Sequence, residues 1–155
     1  MTDLLVMASD VRRALEPGEL LITQADPGGN IFVLEAGELA VERDGVPITT
    51  LSTPNALVGE MSVLLGTPNS ASVRAITHAT VRVIENARDQ LMKDPELTFR
   101  LASLVAGRLD ATTGLLVELA KEHSGKAEQT LLARILSAIH VQADEATVTR
   151  RDLFA

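Results

Sequence analysis

The sequence has no cysteine, no tryptophan and no tyrosine, and only three phenylalanines among 155 residues. Without cysteine there are no disulfides, no thiolate metal sites and no cysteine nucleophile. Aromatics at 2% argue against a base-stacking platform for single-stranded nucleic acid and against an aromatic sugar-binding cleft. Positive charge is also scarce. Fourteen Lys and Arg stand against 21 Asp and Glu, a net charge of -7, which disfavours nonspecific binding to DNA, RNA or anionic membrane. No apolar run approaches the 18 residues of a membrane span. Residues 1–10 lack the basic region and apolar core of a secretory signal. The expected location is the cytoplasm, with no membrane segment.

The three histidines, His78, His123 and His140, have no partner at metal-ligand helical spacing, so no metal site is expected. No Ser-His-Asp order with supporting turns and no G-x-S-x-G motif is present, and no catalytic residue is assigned. A cupin-type enzyme would need a histidine pair on adjacent strands, which is missing. The chain reads as a non-enzyme.

What is there is a globular composition, 46% hydrophobic and 23% charged. The length suits one domain with an appendage and permits burial of roughly 70% of the unfolded surface. Residues 4–15 have helix-compatible spacing, ended by Pro17-Gly18. Short alternating runs follow at 19–22, 31–34, 38–42, 48–51, 72–76 and 80–84. They are separated by turn signals such as Pro27-Gly28-Gly29-Asn30 and Asp44-Gly45. This rhythm predicts a sandwich, jelly roll or barrel. Residues 59–65 break it with good helix formers that stop at Gly66-Thr67-Pro68-Asn69.

From Asp94 the pattern becomes helical. Asp94 suits the N-cap, Pro95 the first helical position, and Glu96 complements the helix dipole. The helix is expected to reach about residue 122. Val105, Leu109, Thr112, Leu116 and Leu119 alternate by four and three, a coiled-coil-type seam that fits self-association or packing on the chain's own sheet. Gly107 and Gly114 are unusual inside it, each costing about 1 kcal/mol relative to Ala. A further amphipathic helix is expected over 128–139, and residues 147–154 look like the start of another element. The expected organisation is a domain over 1–122 and a helical appendage over 123–155.

The order Ile31-Phe32-Val33-Leu34-Glu35-Ala36-Gly37, then Asp44-Gly45, then Gly59-Glu60-Met61-Ser62-Val63-Leu64-Leu65-Gly66-Thr67-Pro68-Asn69-Ser70-Ala71-Ser72-Val73, resembles the cyclic-nucleotide-binding domain. The resemblance covers about residues 15–122. It implies an eight-stranded double-stranded β-helix (jelly roll) with flanking helices and a short phosphate-binding cassette. By this resemblance the cassette residues are Val58, Gly59, Glu60, Met61, Ser62, Asn69, Ser70 and Ala71, and the ligand is cAMP or cGMP. Glu60 would accept from the ribose 2′-hydroxyl. On its own, it is a first-turn acidic residue favoured by the dipole. The glycine at 59 permits a tight turn and close ligand approach.

Two positions depart from the family. An arginine that pairs with the phosphate is replaced by Asn69, which supplies neither charge nor guanidinium fork. A lost charge-assisted bond of roughly 1.5–3 kcal/mol weakens binding about 10- to 150-fold. Arg74 and Arg82 could substitute only if they point inward. Asn55 stands where the family often has glycine, and asparagine tolerates the left-handed turn.

The C-terminal helix resembles the dimer helix of catabolite-activator (CRP/FNR-type) regulators. Thr112 and Thr113 fall where those regulators place base-contacting hydroxyls. The residues after it resemble, more weakly, the opening of their helix-turn-helix, without a recognition helix, so DNA binding by this chain alone is not expected. Three readings follow: a cyclic-nucleotide sensor in a homodimer acting on an unknown effector in signal transduction; a ligand-free dimerisation module of the same fold; or the sensory part of a CRP/FNR-like transcription regulator.

Overall fold

The computed structural model describes residues 10–122, together with 125, 130, 131, 133–135 and 137. Eight strands form two four-stranded antiparallel sheets. The strands are β1 (Arg12–Leu15), β2 (Leu20–Ile22), β3 (Ile31–Ala36), β4 (Leu39–Arg43), β5 (Val46–Leu51), β6 (Leu57–Val58), β7 (Ser72–Ala75) and β8 (Ala79–Ile84). One sheet has the order β1-β8-β3-β6 and the other β2-β7-β4-β5. Helices α1 (Glu60–Leu65), α2 (Ala87–Lys93) and α3 (Pro95–Glu122) complete the described elements. The mainly-β jelly roll with flanking helices is as expected. Residues up to Leu97 form one compact unit and those from Thr98 another.

The core follows from alternation. Leu15, Phe32, Leu34, Val58, Val81 and Val83 of the first sheet cluster with Leu21, Ile22, Leu39, Val73 and Ala75 of the second. Successive side chains of a strand point to opposite faces, so Phe32 with Leu34, Val81 with Val83, and Val73 with Ala75 share the inner face. The adjacent Leu21 and Ile22 both join the core where the register of β2 shifts. Ile31, Val33 and Ile84 alternate with them and are also buried. Strand β3 is therefore covered on both sides, and its Ile31–Leu34 run is apolar without a break.

The expected helix over 4–15 is corrected where it can be seen. Residues 12–15 pair with β8 as strand β1, Arg12 opposite Arg82 and Leu15 opposite Ala79. Val11 and Leu15 have helical spacing, but only Leu15 is buried. One inward residue per four suits a short edge strand, and β8 offers it a ladder. Residues 4–9 lie outside the described residues, as do His123, His140 and residues 147–154. Within 128–139 the described residues are helical. His78 is exposed, with its Nδ1 3.2 Å from Glu16. Asp94 caps α3 as expected, its Oδ1 accepting from the Leu97 N–H at 3.0 Å. Asn55 takes the left-handed conformation, φ +72°.

Three strands of the first sheet are also tied by charge. Arg12 and Arg82 face each other across β1 and β8, and Glu35 of β3 accepts from both guanidinium groups. Like charges opposite one another are unfavourable, and the carboxylate between them offsets this. The hydrogen bond from Arg82, and then that from Arg12, hold the Glu35 carboxyl below the usual carboxylate range. Glu35 therefore stabilises the fold at neutral pH, and its contribution fades as pH falls through that lowered pKa. Glu35→Gln is expected to cost about 1–3 kcal/mol at neutral pH. The gap between variant and wild type should narrow in acid, read as paired thermal melts. An equal gap at every pH would refute the charge argument.

Candidate functional site

The cassette begins where β6 hands over to α1. Val58 is buried on β6, opposite Phe32. Gly59 then takes φ +89°, and a Cβ there would stand 2.5 Å from the Asn30 carbonyl oxygen. Glycine is required at this position, though what approaches its backbone is the protein's own turn between β2 and β3. Glu60 opens α1 and is 6% exposed, an unusual depth for a carboxylate. Ser62 is buried as well, its hydroxyl donating to the Gly59 carbonyl at 3.0 Å. Met61 is exposed. The helix stops at Gly66, φ +65°, whose N–H donates to the Ser62 carbonyl.

Asn69 is held by the loop after β2. Its side-chain amide donates to the Thr23 carbonyl at 3.2 Å. Its N–H donates to the Asp26 carbonyl at 2.9 Å, and its own carbonyl accepts from Ala25 N–H at 2.9 Å. The turn at Gly28 presses on the same place. A Cβ at Gly28 would collide with the Ser62 hydroxyl and stand 3.1 Å from Asn69 Oδ1. Glu60 and Ser62 are thus gathered on α1, while Asn69 is engaged with the 23–26 loop. Ser70 is exposed and Ala71 half-buried.

Neither arginine considered as a substitute for the missing guanidinium faces this region as a spare cation. Arg74 donates to the Gly18 carbonyl at the β1–β2 turn. Arg82 pairs with Glu35. Ser72, on the same side of β7 as Arg74, accepts from the Gln24 N–H at 2.9 Å.

An open cleft of about 360 Å³ lies beside α1, between the 27–29 turn and the 66–68 loop. Of the cassette residues expected from the sequence, Ser62 alone lines it. Arg88, from α2, lines it too. Sequence reasoning missed Arg88 because α2 is short and follows β8 without a recognisable start signal. Its N-cap Asn86, at φ +46°, makes no side-chain cap.

Within the second unit, Thr112 and Thr113 donate their hydroxyls back along α3, to the carbonyls of Arg108 and Leu109 at 2.8 Å. Their oxygens keep acceptor capacity. Along the expected seam, Leu109 and Leu119 are exposed and Val105 and Leu116 half-buried. A Cβ at Gly107 or Gly114 would meet nothing within 4 Å.

Two antiparallel sheets closed into a roll, with a short helix inserted between β6 and β7, define a β-roll domain with a cassette-type insertion. Residues 12–93, more than half of the chain, match the cyclic nucleotide-binding domain, and the chain belongs to that family. It is a regulatory family rather than a catalytic one. The chain is 32% identical over 100 residues to the acetyltransferase Pat of Mycolicibacterium smegmatis, covering 62% of this chain and 30% of that protein. It is 29% identical over 75 residues to the cGMP-dependent protein kinase egl-4 of Caenorhabditis elegans, covering 48% of this chain and 10% of the kinase. The matched stretch is thus a minor part of these relatives' length.

Among solved structures, it resembles the N-terminal domain of a transcriptional regulator from Streptomyces coelicolor A3(2). The TM-score is 0.55 at 25% identity, covering 72% of this chain and 81% of that one. The second cyclic-nucleotide-binding domain of a protein kinase A regulatory subunit, bound to Sp-2Cl-cAMPS, has the same fold. There the TM-score is 0.57 at 17% identity, covering 77% and 86%. No helix among the described residues is long and apolar enough to cross a membrane.

Proposed function

We propose that this chain is a cytoplasmic regulatory sensor that binds cAMP or cGMP weakly and signals through α3 in a homodimer. The observation that carries the reading is the family match over residues 12–93. The buried Glu60 behind Gly59 supports a ribose contact at the start of α1, with the phosphate on the Ser62 side. Weak binding is expected because residue 69 is not an arginine and its amide is already engaged with Thr23. The seam Val105, Leu109, Thr112, Leu116 and Leu119 would pair α3 with its symmetry mate, and Thr112 and Thr113 would meet the base. A symmetric pair covers apolar side chains that α3 leaves exposed.

The test is calorimetric titration of the full chain with cAMP and cGMP, alongside sedimentation of the wild type and of a Leu109→Glu, Leu116→Glu double variant. Binding in the high-micromolar to millimolar range and a dimer lost in the double variant are the expected results. No heat with either nucleotide at millimolar concentration would overturn the sensor reading. A dimeric but unresponsive wild type would favour the ligand-free dimerisation module, to which the engaged Asn69 amide already points. A monomeric wild type would remove the α3 pairing.

A further inference from the structure

We propose that Arg88 is the phosphate-binding side chain of this protein, and that the open cleft beside α1 receives the anionic group of its ligand. The identity of the ligand rests on the cyclic-nucleotide reading. The call for an anion rests on the cleft itself.

Among the described residues that line the cleft, Arg88 is the one ionisable side chain and none is a carboxylate. Its guanidinium offers several N–H donors in a planar fork that matches phosphate oxygens. The walls are otherwise small or apolar: Pro27 and Gly28 on one side, Val63 and Pro68 on the other, with the buried Ser62 from α1. A volume of about 360 Å³ is at the small end of ligand pockets, roughly 300–1,000 Å³, and suits one mononucleotide-sized ester.

The position of Arg88 is built rather than incidental. The Asn86 N–H donates to Asn30 Oδ1 at 3.2 Å. The Ala87 N–H donates to the Gly29 carbonyl at 2.9 Å, and Ala87 is fully buried. These two bonds fasten the first residues of α2 to the turn that walls the cleft, and Arg88 comes next in the chain. The same turn abuts Ser62 and Asn69 through Gly28. Arg88 and Ser62 line the same cleft, so α2 brings a cation beside the cassette without replacing the one missing at position 69. A ligand held there would touch the cassette and α2 together.

The experiment is calorimetric titration of the full chain with cAMP, with cGMP and with inorganic pyrophosphate, a probe that has no base or ribose. Wild type, Arg88→Ala, Arg88→Lys and Lys93→Ala are compared, each checked by thermal melt. Arg88→Ala should weaken every probe the wild type binds by about 10- to 150-fold. Arg88→Lys should fall between, since it keeps the charge and loses the fork. Lys93→Ala should stay within about threefold, because Lys93 is an exposed cation on the same helix that does not line the cleft. Unchanged cyclic-nucleotide affinity in folded Arg88→Ala would overturn the proposal while leaving the sensor reading intact. Pyrophosphate binding that depends on Arg88, with no response to either nucleotide, would keep the anion site and overturn the sensor reading. A wild type that binds none of the three probes would overturn both. If Arg88→Ala does not fold, Arg88→Lys decides: affinity equal to wild type for all probes would count against a bidentate phosphate contact.

Discussion

Asn69→Arg is expected to bind cyclic nucleotide about 10- to 150-fold more tightly than the wild type in calorimetric titration. The gain is that of one charge-assisted, bidentate contact, roughly 1.5–3 kcal/mol. The substitution gives up the amide bond from Asn69 to the Thr23 carbonyl. It keeps the two backbone bonds that clamp position 69 to Ala25 and Asp26, since these do not depend on the side chain. The loop should therefore stay where it is while the longer side chain leaves the space beside Gly28. A neutral hydrogen bond of about 1 kcal/mol is lost against a larger charged one gained. If titration with both nucleotides stays flat at millimolar concentration in folded Asn69→Arg, the cassette is not a cyclic-nucleotide site.

The largest expected loss of stability is at Gly37. This residue carries the chain from β3, in one sheet, to β4, in the other, at φ +90°. A Cβ there would collide with the His78 carbonyl oxygen and stand 2.6 Å from Ala79 Cα. Both are backbone atoms at the β7–β8 turn, so no flexible side chain can swing away. The turn is further fixed to the crossing by the Ile76 N–H to the Glu38 carbonyl at 2.8 Å, and by the Glu38 N–H to Thr77 Oγ1 at 3.1 Å. Left-handed strain of about 1–2 kcal/mol adds to overpacking of about 1–3 kcal/mol. Gly37→Ala should therefore lose about 2–5 kcal/mol and lower the melting temperature by about 5–15 °C. A melting temperature within 2 °C of wild type, by the same rough scale, would show that the crossing can shift and that the contact is not rigid.

The two substitutions act on different levels. Position 37 bears on whether the sheets can close, and position 69, under the proposed function, on what the closed roll can hold. Domains of this size are stable by only about 5–15 kcal/mol, so the loss at Gly37 is a large share of the total. The change at Asn69 is made on a half-buried loop residue and should leave the fold standing.

Much of the roll was legible in the chain because alternation and turn chemistry are local. Phe32 and Leu34, Val81 and Val83, and Val73 with Ala75 alternate as inner-face residues must, and Asp44-Gly45 turns β4 into β5. Asp94 and Pro95 announce α3 through capping chemistry that needs only neighbouring residues. The short helix between Gly59 and Gly66 was legible as well, since the break in strand rhythm at residue 59 is a property of sequence.

Other features were decided only when distant segments met. Residues 12–15 carry too little pattern to separate strand from helix, and the ladder on β8 settles them as β1. Leu57 and Val58 are a strand because Phe32 and Val33 lie opposite. Arg74 and Arg82 looked interchangeable along the chain, yet one meets a turn carbonyl and the other a carboxylate on β3. Arg88 lines the cleft next to Asn86 and Ala87, whose N–H groups bond to residues 30 and 29, far from them in sequence. The chain by itself determined which residues face inward and where it turns, because steric and hydrophobic preferences act over a few residues. Which charges are neutralised and which line a cleft was decided by the tertiary structure, because electrostatic partners are chosen by distance in space.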